Sequence, residues 1–379
     1  MQGPDLVTWL DRTEAELENF RAAARWLVEQ GEHDRALRLV GALWFSFVPR
    51  GRVIEGRGLL VPVLSATAGQ RLPTRAMALF GAGLLLTQFD DHATARPLLT
   101  ESLDIAQEAG DDRATAYALL GLGLSFKSDE NWQRASGLYA RAIELFEKGT
   151  DWWGMGWAYN FAAQPSFDPH ESPWQPAQME RALAIFLAHG NEHGAADNYR
   201  TLGIEATTSG DAAKARELLE RGLSIFRRMS ARLNSAWSLE WLAGVTLSLG
   251  DLDAARRYGR EALLLHRQLG NPIAVAKNLG ISAALAFCEG RLERAAQLAG
   301  AAAAHDTPLG SPRRRAILDR ALRQESWQPQ AQAAMGGPAW EKAFAVGRQM
   351  SLDDAIAFAV ADIWPSATAV SSRAAATRT

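Results

Sequence analysis

The sequence predicts an all-α solenoid of antiparallel helix pairs, because three columns of small residues recur every 40 positions. Gly83, Gly123, Ala163, Gly203, Ala243 and Ala283 form the first column, and 12 positions further on stand Ala95, Ala135, Gln175, Ala215, Ala255 and Ala295. Seven beyond these come Ser102, Ala142, Ala182, Gly222, Ala262 and Ala302. A fixed period of this size marks stacked supersecondary units, and small side chains at fixed offsets let neighbouring helices approach closely. Alternating runs of Val, Ile, Thr or Tyr are absent, so no strand is expected.

Residues 1–30 read as an N-terminal linker helix, and residues 31–304 as the repeat array. In the best-formed unit, Gly194 to Met229, the residues Tyr199, Leu202, Gly203 and Ala206 give the first helix a small apolar face. Ser209-Gly210-Asp211 breaks the chain: glycine ends one helix in the left-handed region and aspartate caps the next. The break returns as Gly250-Asp251, Gly290-Arg291, Glu130-Asn131 and Asp90-Asp91. A longer helix follows, striped by Ala215, Leu218, Leu219, Gly222, Leu223 and Phe226, and ends at hinges such as Gly110, Gly190 and Gly270. One short loop per helix implies antiparallel neighbours, and a lone hairpin of this kind must stack to bury its face.

Residues 305–364 read as a C-terminal helical cap, in which Trp340, Phe344, Leu352, Ile356 and Phe358 cover the exposed end of the last repeat. Residues 365–379 are rich in Ala, Ser and Thr and offer too little apolar surface to offset ordering entropy, so a disordered tail is expected.

Tyr199, Leu202-Gly203, Ala215 and Gly222 resemble the tetratricopeptide repeat, whose usual unit is about 34 residues. The longer unit here looks like the effector-sensing arrays of MalT-like, LuxR-type and STAND ATPase regulators. The opening Trp9-Leu10-Asp11 through Glu14, Glu16, Asn19, Arg21 and Trp26, and the closing Pro338-Ala339-Trp340-Glu341 through Gly347 and Ser351 to Ala355, are similar to segments at the two ends of such arrays. The resemblance covers roughly residues 5 to 364 and implies a right-handed superhelix; the ATPase and DNA-binding portions of those regulators have no counterpart in this sequence.

The formal net charge of −3, with both signs mixed along the helices, argues against a nucleic-acid-binding surface. No apolar run reaches membrane length and no leader is evident, so a cytoplasmic protein without membrane contact is expected. Cys288, the sole cysteine, lies among Leu285, Ala286 and Phe287 and reads as a small buried residue.

Catalytic chemistry finds no foothold. Gly121 to Ser128 falls short of a phosphate-binding loop, because Phe126 replaces the second glycine and the segment sits in a helix. His189 and His193 are four apart, but Gly190-Asn191 breaks the helix between them, so they read as a solvent-facing pair rather than metal ligands. No nucleophile elbow or cysteine–histidine pairing is present, and neither a metal nor a cofactor is expected. Arg313, Arg314, Arg315, Arg320 and Arg323 form a basic stripe, read as a solvated face or as a site for an acidic partner.

In tetratricopeptide arrays the first helix of each pair lines the concave surface. Six positions before the first small column come Met77, Tyr117, Trp157, Asp197, Trp237 and Lys277; three before it come Phe80, Leu120, Asn160, Arg200, Glu240 and Gly280. Tyr117, Trp157, Asn160, Asp197, Arg200, Trp237 and Glu240 are therefore the candidate binding wall, aromatics interleaved with polar groups. The alternative is that the tryptophans pack between helices and Asp197 pairs with Arg200. Pro165, Phe167 and Trp174 lie in a proline-rich insert that reads as a lid over the groove or a filler beside it. Two functions follow: a non-enzymatic sensor for a peptide, protein or small-molecule effector within a bacterial regulator, or an adaptor that docks proteins along the groove without a small ligand.

Overall fold

The computed structural model describes residues 3–88, 91–127, 131–164, 175–306 and 324–361, and among these every regular element is helical. The order is α1 (Leu6–Ala15), α2 (Leu17–Glu29), α3 (His33–Leu43), a 3-10 turn (Trp44–Phe47), α4 (Val53–Ala66), α5 (Pro73–Thr87) and α6 (His92–Glu108). Then come α7 (Asp112–Lys127), α8 (Trp132–Gly149), α9 (Trp152–Ala163), α10 (Pro176–Ala188), α11 (Glu192–Thr208) and α12 (Ala212–Arg228). The rest are α13 (Arg232–Ser248), α14 (Leu252–Gln268), α15 (Pro272–Cys288), α16 (Leu292–His305), α17 (Gln324–Met335), α18 (Gly337–Arg348) and α19 (Leu352–Val360). Consecutive helices from α5 to α16 pack as six pairs, each against the next, which makes the fold a helical-repeat solenoid.

The small columns are where helices meet. A Cβ on Gly203 would stand 2.7 Å from Leu219 Cγ and 3.2 Å from the Ala215 carbonyl oxygen, so the first and second helices of that pair touch through glycine. Gly222 approaches the Ala196 carbonyl in the same way. On the second helices Phe146, Phe186 and Phe226 form a fully buried column, and a Cβ on Gly154 or Gly194 would collide with the first or second of these rings. The fourth member of the column is His266, also fully buried.

The loops obey the punctuation in the sequence. Gly210, at φ +88, lets the Asp211 N–H return to the Ala206 carbonyl at 2.8 Å, and the Asp211 carboxylate accepts from Lys214 N at 3.1 Å. Asp91, Asp111, Asn131, Asp151, Asn191, Asp251 and Asn271 cap their helices in the same fashion. Two hinges break the pattern: Thr150 and Ser230 hold φ of 55 and 54 where Gly110, Gly190 and Gly270 stand in other repeats. A side chain there is strained, because its Cβ crowds the following carbonyl. Thr150→Gly and Ser230→Gly are each expected to stabilise the chain by about 0.5–1 kcal/mol in urea denaturation, less the entropy glycine adds to the unfolded chain. Loss of stability in both would show that their side chains hold the hinge.

Cys288 departs from its expected burial. It is the last residue of α15, beyond the buried Ala283, Ala284 and Ala286 of that helix's final turns, and its side chain faces out of the stack and is exposed. The N-terminal linker segment forms two helices rather than one, parted at Glu16. The tail, residues 365–379, and the first part of the cap lie outside the described residues.

Candidate functional site

The first helices α7, α9, α11 and α13 carry the candidate wall. Trp157 sits in an aromatic cluster, its ring 5.2 Å from Phe186, 5.7 Å from His193 and 5.5 Å from Phe161. One repeat on, Asp197 is buried and ion-paired with Arg200, one helical turn away. In the next repeat Trp237 is partly buried, with its ring 5.4 Å from His266 and with Lys277 Nζ 5.8 Å above its centroid. Trp157, Asp197 and Trp237 share one register on successive helices, six positions after the N-cap residues Asp151, Asn191 and Ala231.

The other named residues are turned toward helix contacts. Three residues along a helix rotate by about 300°, so a position three before the small column leans some 60° away from one six before it, toward the second helix. Asn160 is fully buried, with Nδ2 3.8 Å from Met179 Sδ of α10, and it accepts from Gln164 Nε2 at 3.0 Å. Glu240 is buried, accepts from Asn278 Nδ2 at 2.9 Å and lies 3.6 Å from His266 Nε2 of α14. Tyr117 donates its hydroxyl to Asp151 Oδ2 at 2.8 Å beneath the Arg113 guanidinium, with Phe146 4.9 Å away. Burial, and after it the Asp151 carboxylate, raises the Tyr117 phenol well above its ordinary range. Burial also opposes the charge on Asp151, yet the Gly154 N–H, Arg113 and Tyr117 together hold that carboxyl below its usual value.

A further column was missed in the sequence. Trp153, His193 and Leu233 stand 40 apart in the first turns of α9, α11 and α13, one turn before Trp157, Asp197 and Trp237 and on the same side. Counting ten positions back from the small column, rather than six, would have found it. The chain itself lies along this column. Phe45 packs edge-on against Trp153 at 4.8 Å and is 6.0 Å from His193; Gly51 lies against Leu233 and Leu269; Arg50 Nε donates to the Met229 carbonyl at 3.3 Å. Arg50 also pairs with Asp11 at 2.6 Å and Glu14 at 2.9 Å, and Gly3 and Pro4 sit at the His189–Gly190 hinge.

His193 is not solvent-facing. It is 2% exposed, neither ring nitrogen has a partner, and burial pushes its pKa down to about 4, with Asp197 and Arg200 acting in opposite senses. His189 is exposed and stacks on Trp152 at 4.2 Å, so the histidine pair is divided between surface and interior. Among the described residues no group of three or more His, Cys, Asp or Glu is placed to hold a metal, and no helix is long and apolar enough to cross a membrane. Gly121 to Lys127 is helical in α7, with Gly123 against the Tyr139 ring and Phe126 beneath Arg96 and Arg134, at 4.5 and 4.0 Å. Pro165, Phe167 and Trp174, and the Arg313 to Arg323 stripe, lie outside the described residues.

Comparison with known proteins agrees with the fold. Residues 74–148, spanning α5 to α8, match the tetratricopeptide repeat family. A Rap protein solved in complex with Competence and Sporulation Factor superposes with a TM-score of 0.58 at 13% identity, over 91% of this chain and 99% of that one. Candidate HTH-type transcriptional regulators, so named, from Mycobacterium bovis and Mycobacterium tuberculosis are 30% identical over 152 residues, 38% of this chain. The chain spans 17% of the length of each of those relatives.

Proposed function

We propose that this chain is a non-enzymatic, peptide- or protein-binding repeat domain that serves as the sensing part of a bacterial transcriptional regulator of the MalT-like, long-repeat kind. One observation carries the reading: of the buried hydrogen-bonding atoms without partners among the described residues, six lie on the successive first helices α9 and α11. They are Trp153 Nε1, Trp157 Nε1, Asn198 Oδ1, Arg200 Nε and both nitrogens of His193. Each such atom costs about 1–3 kcal/mol when buried unpaired, so a concentration of them marks a surface whose partners come from elsewhere. Aromatic faces beside charged groups, as at Trp237, Lys277, Asp197 and Arg200, suit a peptide with mixed side chains. The likeness to the mycobacterial regulators supports the regulatory setting, and the Rap protein's complex with Competence and Sporulation Factor is a precedent for a bound factor on this fold. Signalling would pass to a DNA-binding module, this chain itself making no nucleic-acid contact, in the cytoplasm.

Titration of a peptide library against the chain, read by tryptophan fluorescence, tests this. Arg200→Ala is expected to weaken an acidic peptide by roughly 1.5–3 kcal/mol, and Trp237→Ala by about 2 kcal/mol or more. Unchanged affinity in both variants for a peptide that binds the wild type would remove the groove as the site.

A further inference from the structure

We infer that residues 44–52 occupy the groove in cis as a built-in ligand, and that a partner peptide of the same chemistry, an aromatic anchor followed five residues on by arginine, binds by displacing them. The inference rests on the groove being a peptide site. The segment is a 3-10 turn followed by a tight turn, with Trp44 and Phe47 in the core, and it touches one first helix after another: Phe45 at Trp153 of α9 and His193 of α11, then Gly51 at Leu233 of α13.

Two features of this contact suit an exchangeable occupant. Phe45 brings no hydrogen-bonding group to a wall where Trp153 Nε1, Trp157 Nε1 and both His193 nitrogens are buried and unpartnered. An incoming peptide would supply carbonyl and amide groups to them. The far end of the segment is also held by exchangeable contacts. Arg50, itself largely buried, joins an exposed Asp11, a partly exposed Glu14 and one backbone carbonyl, so water reaches these pairs from the carboxylate side. Gly51, at φ +68, would bring a Cβ to 2.8 Å from Leu233 Cβ, so the close approach needs glycine.

A labelled synthetic peptide copying residues 43–53 is titrated into the full chain as wild type, as Arg50→Ala/Gly51→Val, and as Gly51→Cys/Leu233→Cys with Cys288→Ser. The double variant loosens the cis segment and is expected to bind the peptide about tenfold more tightly than wild type, because the competent state becomes more populated. The oxidised cysteine pair tethers residue 51 to α13 once its Cβ has shifted outward from the 2.8 Å approach, the S–S bond offsetting the crowding that the valine leaves uncompensated, and is expected to abolish binding until it is reduced. Equal affinity in wild type and double variant, no binding to the double variant, or undiminished binding to the locked form would overturn the inference. Should the double variant fail to fold, the locked form before and after reduction decides alone. A library peptide that binds locked and reduced forms equally leaves the peptide-site reading standing and removes only the cis competition.

Discussion

Gly347→Val is expected to detach the C-terminal cap and to cost about 3 kcal/mol of stability, at the upper end of what overpacking causes. Helices α16 and α18 meet backbone to backbone through two glycines. A Cβ on Gly347 would overlap the Gln297 carbonyl, and one on Gly300 would overlap the Phe344 carbonyl. In both cases the obstacle is main chain, which cannot swing aside as a side-chain tip does. The contact shields Leu298 and Ala301 of α16 together with Trp340 and Ala343 of α18, and Trp327 and Ile356 belong to the same buried cluster. Solenoids need a polar outer face on their last unit, so losing the cap should expose this cluster and cause self-association. Urea denaturation followed by tryptophan emission, with size-exclusion chromatography, measures both effects. Gly137→Val is the control: that glycine is exposed in α8, and an added Cβ meets nothing within 4 Å. Gly347→Val behaving as mildly as Gly137→Val would show that the cap is not seated through this contact.

The repeat was legible because packing forces it into the sequence. Gly203 and Gly222 are small for the reason read from their columns: a neighbouring helix occupies the space a side chain would take. The loop signals also held, since Gly210 and Asp211 stand in the left-handed and capping roles assigned to them. What the sequence did not reveal depends on contacts without a period. Arg50 and Met229 are 179 residues apart, and nothing in the segment 44–52 announces that it will lie along α9, α11 and α13. His193 was misplaced for the same reason. Judged by its neighbours Gly190 and Asn191 it belongs to a surface hinge, but Phe45 and Phe226 close over it at 6.0 Å each. For the candidate wall the 3.6-residue pitch placed Trp157, Asp197 and Trp237 on one side. It also turned Asn160 and Glu240 into contacts with Met179 and His266 that a column count alone does not resolve.

His193 should make the folded state sensitive to mild acid. Its imidazole is pushed from an ordinary value of 6.5 down to about 4, chiefly by burial, so between those values the unfolded chain binds a proton that the folded chain refuses. Stability therefore rises with pH across this window: the penalty is absent above 6.5 and grows by roughly 1.4 kcal/mol per unit as pH falls toward 4. The accumulated loss is of order 3 kcal/mol at the lower end. Other carboxylates also titrate in this range, so the informative quantity is the difference from His193→Leu. Neither ring nitrogen has a partner, and the surroundings are Phe45, Trp157 and Phe226, so leucine forfeits no hydrogen bond and suits the apolar site. Near pH 7 the variant should match or exceed the wild type, and the two curves should diverge as pH drops below 6.5. Because Phe45 touches this ring, the first consequence of protonation should be release of the 44–52 segment, seen as protease cleavage there before global unfolding. Parallel stability curves for wild type and His193→Leu from pH 7 to about 4.5 would mean that the imidazole reaches water in the folded state and takes up its proton freely.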